Sequence, residues 1–568
     1  MRQPGIPTLA TALAVAGTLA AATAAAGTLS GRVTDADGKP LAGAMVTLTD
    51  VKRGLGESVY TDADGRYALE LRRIAGRLAL RVREPYFRDA TAELRLGAKQ
   101  RLARDVQLTA LTDPMEISSQ LPAAYHFGSM AFDETGPFAR GQFQRDCITC
   151  HQVGNEVTRV PRTPDVWEVT IQRMHSYLGN FDEGLRKKRA ELLSAGLNGQ
   201  PLKVRPVFPF DADIAKAHVT QYRLDHAQLP HDPEVSPDDG LVYISDQFGD
   251  QVIVTDLESG VSTYYPEPTE GRLTGGKFAK LGIPALGDAA SRLHGGPHSL
   301  SIGPDGKWYT TDAFATQIGV FDPKKRGWEA PIDIPDGAKM PSLYPHTIRQ
   351  DRNGKIWFTL TFSEQVGRLD AATRKIDVID LPPAKSLGVA AGTAPYGIDV
   401  DPQDGGIWYA RLWGDRIGRV DPRTLQVVEF EAPVKGPRRL RFAADGTMWL
   451  TGYNDGVIAE IRTDGAKPFW SRVHRLPEFA PGFRPAAYAL NVSPRTGHVW
   501  VNETMTDRLY RYDPKADRWT VYPMPLRGTY TREITFAKNG DVCTSNNPFP
   551  VGALEGGKAE LVCIDPGQ

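Results

Sequence analysis

Cys147-Ile148-Thr149-Cys150-His151 brings two thiols and an imidazole together within one short run. Cysteines at this spacing fit one helical turn, from which both thiols can add to the two vinyl groups of a single porphyrin. The histidine that follows is then placed to ligate the iron from one face. This is the CxxCH pattern of covalent c-type haem attachment. It leads us to expect one haem c held by Cys147, Cys150 and His151. Phe143 lies four residues before Cys147, on the same face of a helix, where its ring can pack on the porphyrin.

An iron held by one histidine has a sixth position to fill. Pro164 marks a helix start, and Val166–Leu178 reads as a helix with Trp167, Ile171, Met174 and Leu178 on one apolar stripe. Met174 is the candidate sixth ligand, since a thioether there raises the potential and suits electron transfer. Met130, His126 and His175 compete with it, an open position is a further option, and Met174 also has a plain reading as core. The run Arg162-Thr163-Pro164…Trp167…Arg173-Met174 resembles the cytochrome domain of quinohaemoprotein amine dehydrogenases. That resemblance implies Met174 as the iron ligand. Glu183–Leu193 reads as a charged third helix whose Arg186-Lys187-Lys188-Arg189 cluster is a solvated face. The haem segment spans residues 136–215, after a connector at 111–135.

The elements that must position a second site lie downstream, where residues 216–568 form an internal repeat. A glycine followed three residues later by an aromatic marks the second strand of most units. The equivalent positions are Tyr243, Tyr309, Trp357, Trp408, Trp449, Trp500 and Cys543. Seven units of four short strands make a seven-bladed β-propeller. The last unit stops after its third strand, and Val219-Thr220-Gln221-Tyr222-Arg223-Leu224 looks like the missing outer strand, closing the ring and removing an edge. Cys543 and Cys563, on neighbouring strands of that blade, are expected to form a disulfide in an oxidising compartment. The segment Pro345-His346-Thr347-Ile348…Gly354-Lys355-Ile356-Trp357-Phe358-Thr359…Gln365-Val366-Gly367-Arg368 and its counterparts resemble the streptogramin lyase (virginiamycin B lyase) family.

In a propeller, inner-strand starts and the turns after second strands meet at one face of the central channel. The starts offer His231, His298, His346, Tyr396, Arg438 or Arg439, Tyr488, and Arg532 with Glu533. The turns offer Asp246, Asp312, Glu364, Arg411, Tyr453, Glu503 and Asn546. From these, His298, His346 and Glu364 are the catalytic candidates, holding a divalent metal ion or supplying a general base. The connection Pro266–Pro297 enters from the same face as a candidate lid. The lyase resemblance implies a metal held by His and Glu and a Glu-x-His pair whose His is the base. No Glu-x-His occurs in this propeller.

Residues 27–110 read as short strands with Asp-Gly turns. Gly31, Val33, Asp35, Gly38, Pro40-Leu41, Gly43-Ala44, Val46 and Leu48 resemble the carboxypeptidase regulatory-like (transthyretin-like) domain, a packing or interaction module. Residues 1–26 carry Arg2, an Ala-rich apolar stretch and small residues up to Ala26, the pattern of a cleaved export signal. The 67 basic and 68 acidic residues balance, and no basic run points to nucleic acid. The fold class is therefore mainly β: a propeller with an N-terminal β-sandwich and a small α-helical cytochrome c domain. The expected protein is a periplasmic c-type cytochrome with no transmembrane segment in the mature chain. It transfers electrons to or from a redox partner protein, coupled to oxidation of a small-molecule substrate at the propeller or on the partner. The alternatives are a streptogramin-lyase-like C–O lyase or hydrolase with an accessory haem, and a non-catalytic docking module.

Overall fold

The computed structural model describes residues 27–177, 182–270, 295–335, 344–388 and 392–567. The candidate lid falls almost entirely on 271–294, outside the described residues, as do the export signal and Leu178.

Seven four-stranded antiparallel blades form the ring. Their inner strands are Pro230–Val235, Pro297–Ile302, Pro345–Gln350, Pro395–Val400, Pro437–Phe442, Ala487–Val492 and Thr531–Phe536. Each packs against the next, and the last packs against the first, so the ring is closed. Within each blade, strands alternate side chains between its two faces, and the aromatic of the second strand is buried between blades. Trp308, Trp357, Trp408 and Trp500 are among the largest fully buried side chains. Blade seven takes its outer strand from before the ring: His218–Arg223 pairs with Glu560–Asp565. Cys543 and Cys563 face each other across two strands of that blade and are bonded.

The N-terminal β domain joins the ring by strand pairing. Its strand Leu55–Tyr60 pairs antiparallel with His218–Arg223, Leu55 opposite Tyr222 and Val59 opposite His218. Blade seven and one sheet of the sandwich thus make a single eight-stranded sheet. Leu48, Leu55 and Leu80 of the sandwich share one apolar core with Tyr222, Ile244 and Cys563 of the ring.

Residues 111–135 are more than a connector. They form two short helices, Pro114–Gln120 and Ala123–Gly128, the first capped by Asp113. The apolar side of Ala123-Ala124-Phe127 drives this, packing on Phe143 and Trp167. Three further helices follow: Arg140–Cys147, Pro164–Tyr177 and Glu183–Gly196. Their core is not self-contained. It merges with Tyr396, Trp413, Tyr453, Tyr488 and Tyr530 of the propeller. The cluster at 186–189 is only partly a solvated face. Lys187 and Lys188 are exposed, but Arg189 is fully buried, because it turns inward to Asp146 (2.6 Å) beside the CxxCH helix. Among the described residues, no helix is long and apolar enough to cross a membrane.

Candidate functional site

The helix Arg140–Cys147 stops at Cys147, so CxxCH does not lie on one helical turn as its spacing suggests. Residues 148–151 leave the helix and run over the propeller's channel. A chain leaving a helix carries carbonyls with no partner in the helix. Here the propeller supplies the donors. Tyr453 donates to Ile148 O (2.6 Å), and Tyr530 to both Ile148 O (2.8 Å) and Thr149 O (2.9 Å). Arg438 donates to Thr149 O (2.9 Å) and Arg532 to Cys150 O (2.8 Å). Gln152 donates to Thr504 O and Thr529 O, each at 2.8 Å. Arg145 adds an ion pair with Asp415 (2.8 Å).

One repeated detail aims these donors. Every inner strand has a register shift just after its first residue. A bulge of this kind re-aims the side chain beside it. The second residue of each strand forms a ring of seven: His231, His298, His346, Tyr396, Arg438, Tyr488 and Arg532. All seven are buried. The ring has two halves. In blades four to seven, arginine and tyrosine alternate. Arg438 lies over Tyr396, Tyr453 and Tyr488 at 4.6, 4.4 and 3.8 Å, a cation held by aromatic faces. Burial alone would raise the Tyr488 phenol, but Arg532, Arg438 and Arg439 outweigh it and hold it down at about 8. In blades one to three the ring is imidazole. His231 and His298 have ring centres 3.7 Å apart, His298 and His346 3.9 Å, and His346 and Tyr396 3.8 Å.

One residue deeper, the charges compensate each other. Arg439 pairs with Asp232 (2.9 Å) and Glu533 (2.6 Å), and Glu533 also pairs with Arg349 (2.9 Å). Burial would raise the Asp232 carboxyl, yet Arg439 and His231 hold it well below the usual range. A buried charge without such partners would be strongly unfavourable.

Of the catalytic candidates, the structure brings His298 and His346 together and leaves Glu364 out. Glu364 accepts from Thr393 Oγ1 (2.6 Å) and pairs with Arg411, a contact of blade four. His231 and Asp232 complete the cluster instead. The ligand atoms of His231, Asp232 and His298 all lie within 4.8 Å of one another.

The haem residues have a donor set that fits the group. Cys147 and Cys150 are free thiols, half-buried and exposed respectively. His151 Nδ1 lies 2.8 Å from Gln152 O, which fixes the ring and leaves Nε2 as the remaining nitrogen. A carbonyl on the far nitrogen is the usual way a metal-binding imidazole is oriented. His151 meets Phe549 edge-on (5.6 Å), and Phe549 meets Phe248 (5.2 Å), so blades seven and one supply apolar surface beside the imidazole. Phe143 is buried against Phe127 and Phe132. Among the ligand candidates, His126 Nε2 is 3.0 Å from Ser118 O and His175 Nε2 is 3.3 Å from Arg189. Met130 is buried in the helical core, against Gly196. Met174 is half-buried, one turn beyond Ile171 on the stripe that faces the Cys147–Ile148 end of its neighbour.

Fold and site together define a seven-bladed propeller whose channel mouth is built around a CxxCH segment. Residues 289–483 match the virginiamycin B lyase family model, and residues 28–109 match the carboxypeptidase regulatory-like domain. A virginiamycin B lyase of Nocardia farcinica (strain IFM 10152) is 24% identical over 229 residues, covering 35% of this chain and 76% of its own. Among solved structures, a streptogramin B lyase has 21% identity and a TM-score of 0.48, over 61% of this chain and 98% of that one. A catalytically inactive virginiamycin B lyase from Staphylococcus aureus with quinupristin has 21% identity and a TM-score of 0.47, over 61% and 99%. The ring is thus a virginiamycin B lyase-like propeller, and the N-terminal unit is a carboxypeptidase regulatory-like domain.

Proposed function

We propose that this protein is a periplasmic c-type cytochrome whose haem sits at the mouth of the propeller channel. In this reading, Cys147 and Cys150 hold the group covalently, and His151 and Met174 are its axial ligands. Bound there, the haem supplies one-electron transfer. The chain's own residues do the rest. Arg438, Arg532, Tyr453 and Tyr530 fix the attachment loop through its carbonyls. Gln152 O holds the His151 ring. Phe549 and Phe248 exclude water on the propeller side. Electrons pass between this site and a redox partner protein, serving oxidation of a small substrate at the propeller or on the partner. The observation that carries the reading is the donor set: two free thiols and an imidazole with Nδ1 already committed to a carbonyl.

Met174→Ala should convert a low-spin haem spectrum into a high-spin, ligand-binding one; an unchanged low-spin spectrum rejects Met174. Mixing the oxidised protein with candidate donors and following haem reduction tests electron entry.

The match of residues 289–483 favours a second reading, a C–O lyase acting at the same face. Against it stand the missing Glu-x-His and the use of Arg438, Tyr453, Tyr530 and Arg532 as anchors for the attachment loop. Metal-dependent cleavage of a streptogramin such as quinupristin, retained in a Cys147→Ser/Cys150→Ser variant, would establish the lyase and displace the cytochrome reading.

A further inference from the structure

We propose that His231, His298 and His346 form a binding site for one imidazole-preferring transition-metal ion, copper above all, in the channel beside the CxxCH loop. The inference stands apart from the haem reading, because it rests on residues that do not touch the attachment loop.

The three histidines occupy the same position in three consecutive blades and are exposed by no more than 2%. Two of them are already oriented from behind. His231 Nδ1 lies 2.8 Å from Asp232 Oδ1, and His346 Nδ1 lies 2.9 Å from Thr347 Oγ1. Such contacts fix the ring and leave Nε2 to a ligand. His298, between the other two, differs: its Nδ1 is buried and has no hydrogen-bond partner. A buried polar nitrogen left unpaired costs free energy, and a metal ion would relieve it.

The protonation state suits a metal. Burial lowers all three imidazoles; for His298 the neighbouring His231 and His346 and the nearby Arg439 and Arg532 lower it further. Neutral imidazole is the ligating form. The nearby arginine charge is offset by Asp232 and Glu533, both paired with Arg439. Because Asp232 is engaged by Arg439 through both oxygens, the cluster offers nitrogen more readily than oxygen. That composition selects copper, nickel or zinc over magnesium or calcium, with copper the tightest.

The test uses the full-length protein, stripped with a chelator, loaded with Cu2+ and passed through a desalting column. Copper per chain and the nitrogen hyperfine pattern in electron paramagnetic resonance are read. The expected result is one retained Cu2+ with coupling to about three nitrogens. His298→Ala and His346→Ala should each lower retention at least tenfold, while His226→Ala, at an exposed histidine, leaves it unchanged. Should either variant fail to fold, the wild-type spectrum still decides. No retained copper, coupling to a single nitrogen, or displacement of copper by equal Mg2+ overturns the proposal. So does retention that survives both substitutions.

Discussion

Glu560 shows how single residues in the closing blade respond to pH. Burial pushes its carboxyl from 4.5 up to about 7, although Gln221 and Asn546 donate to it. A carboxyl with a raised folded pKa stays protonated in the native state while the unfolded chain ionises. Stability is therefore lost as pH rises from about 4.5 to about 7, and the loss is complete above that. Glu560→Gln mimics the protonated form, and Gln221 can turn its amide to match. The variant should melt higher than the parent at pH 8, by an amount on the order of 2 kcal/mol, and equally near pH 4.5. An unchanged difference across that range would show that Glu560 is ionised in the native protein. At this scale, the ring of seven was legible because proline opens five of the seven inner strands and the channel-facing residue follows it. Glu364 was misassigned because its partners, Thr393 and Arg411, come from the next blade. Nothing in the sequence links them to it.

At the scale of elements, the contact between the CxxCH loop and the ring carries the most consequence. Tyr453 and Tyr530 satisfy the carbonyl of Ile148, and no helical partner can replace them. Removing both hydroxyls leaves buried carbonyls unpaired at about 1–3 kcal/mol each. Tyr453→Phe/Tyr530→Phe should therefore speed hydrogen exchange across residues 140–155 with the blades unchanged. Equal exchange in parent and variant would mean the loop is held by other contacts. The sequence made the chemistry of the loop plain and hid its position. CxxCH identifies a haem motif, but the end of the helix at Cys147 and the donors from blades five to seven arise only on folding. Likewise, the Arg-Lys-Lys-Arg run looked uniformly solvated, yet Arg189 is needed inside to pair with Asp146.

At the scale of the molecule, the three parts are not independent. The sandwich extends blade seven through Leu55–Tyr60 against His218–Arg223, and the helices share their core with the ring. The ring closure was readable from an orphan outer strand. The strand that covers its far edge was not, because strand pairing over so long a separation leaves no local signal. Removing residues 27–110 uncovers the edge of His218–Arg223, a template for edge-to-edge pairing. The truncated protein should aggregate where the full chain stays monodisperse in light scattering; a monodisperse truncation would show that the sandwich is dispensable to the ring. The same integration makes the haem reading a statement about the whole chain. The most direct test is to express the protein with an active c-type maturation system, unfold it fully, and measure haem that stays with the polypeptide. The expected result is one covalently retained haem per chain, lost in Cys147→Ser/Cys150→Ser. A wild-type chain that emerges from the same host with both thiols free and no retained haem would contradict the cytochrome reading.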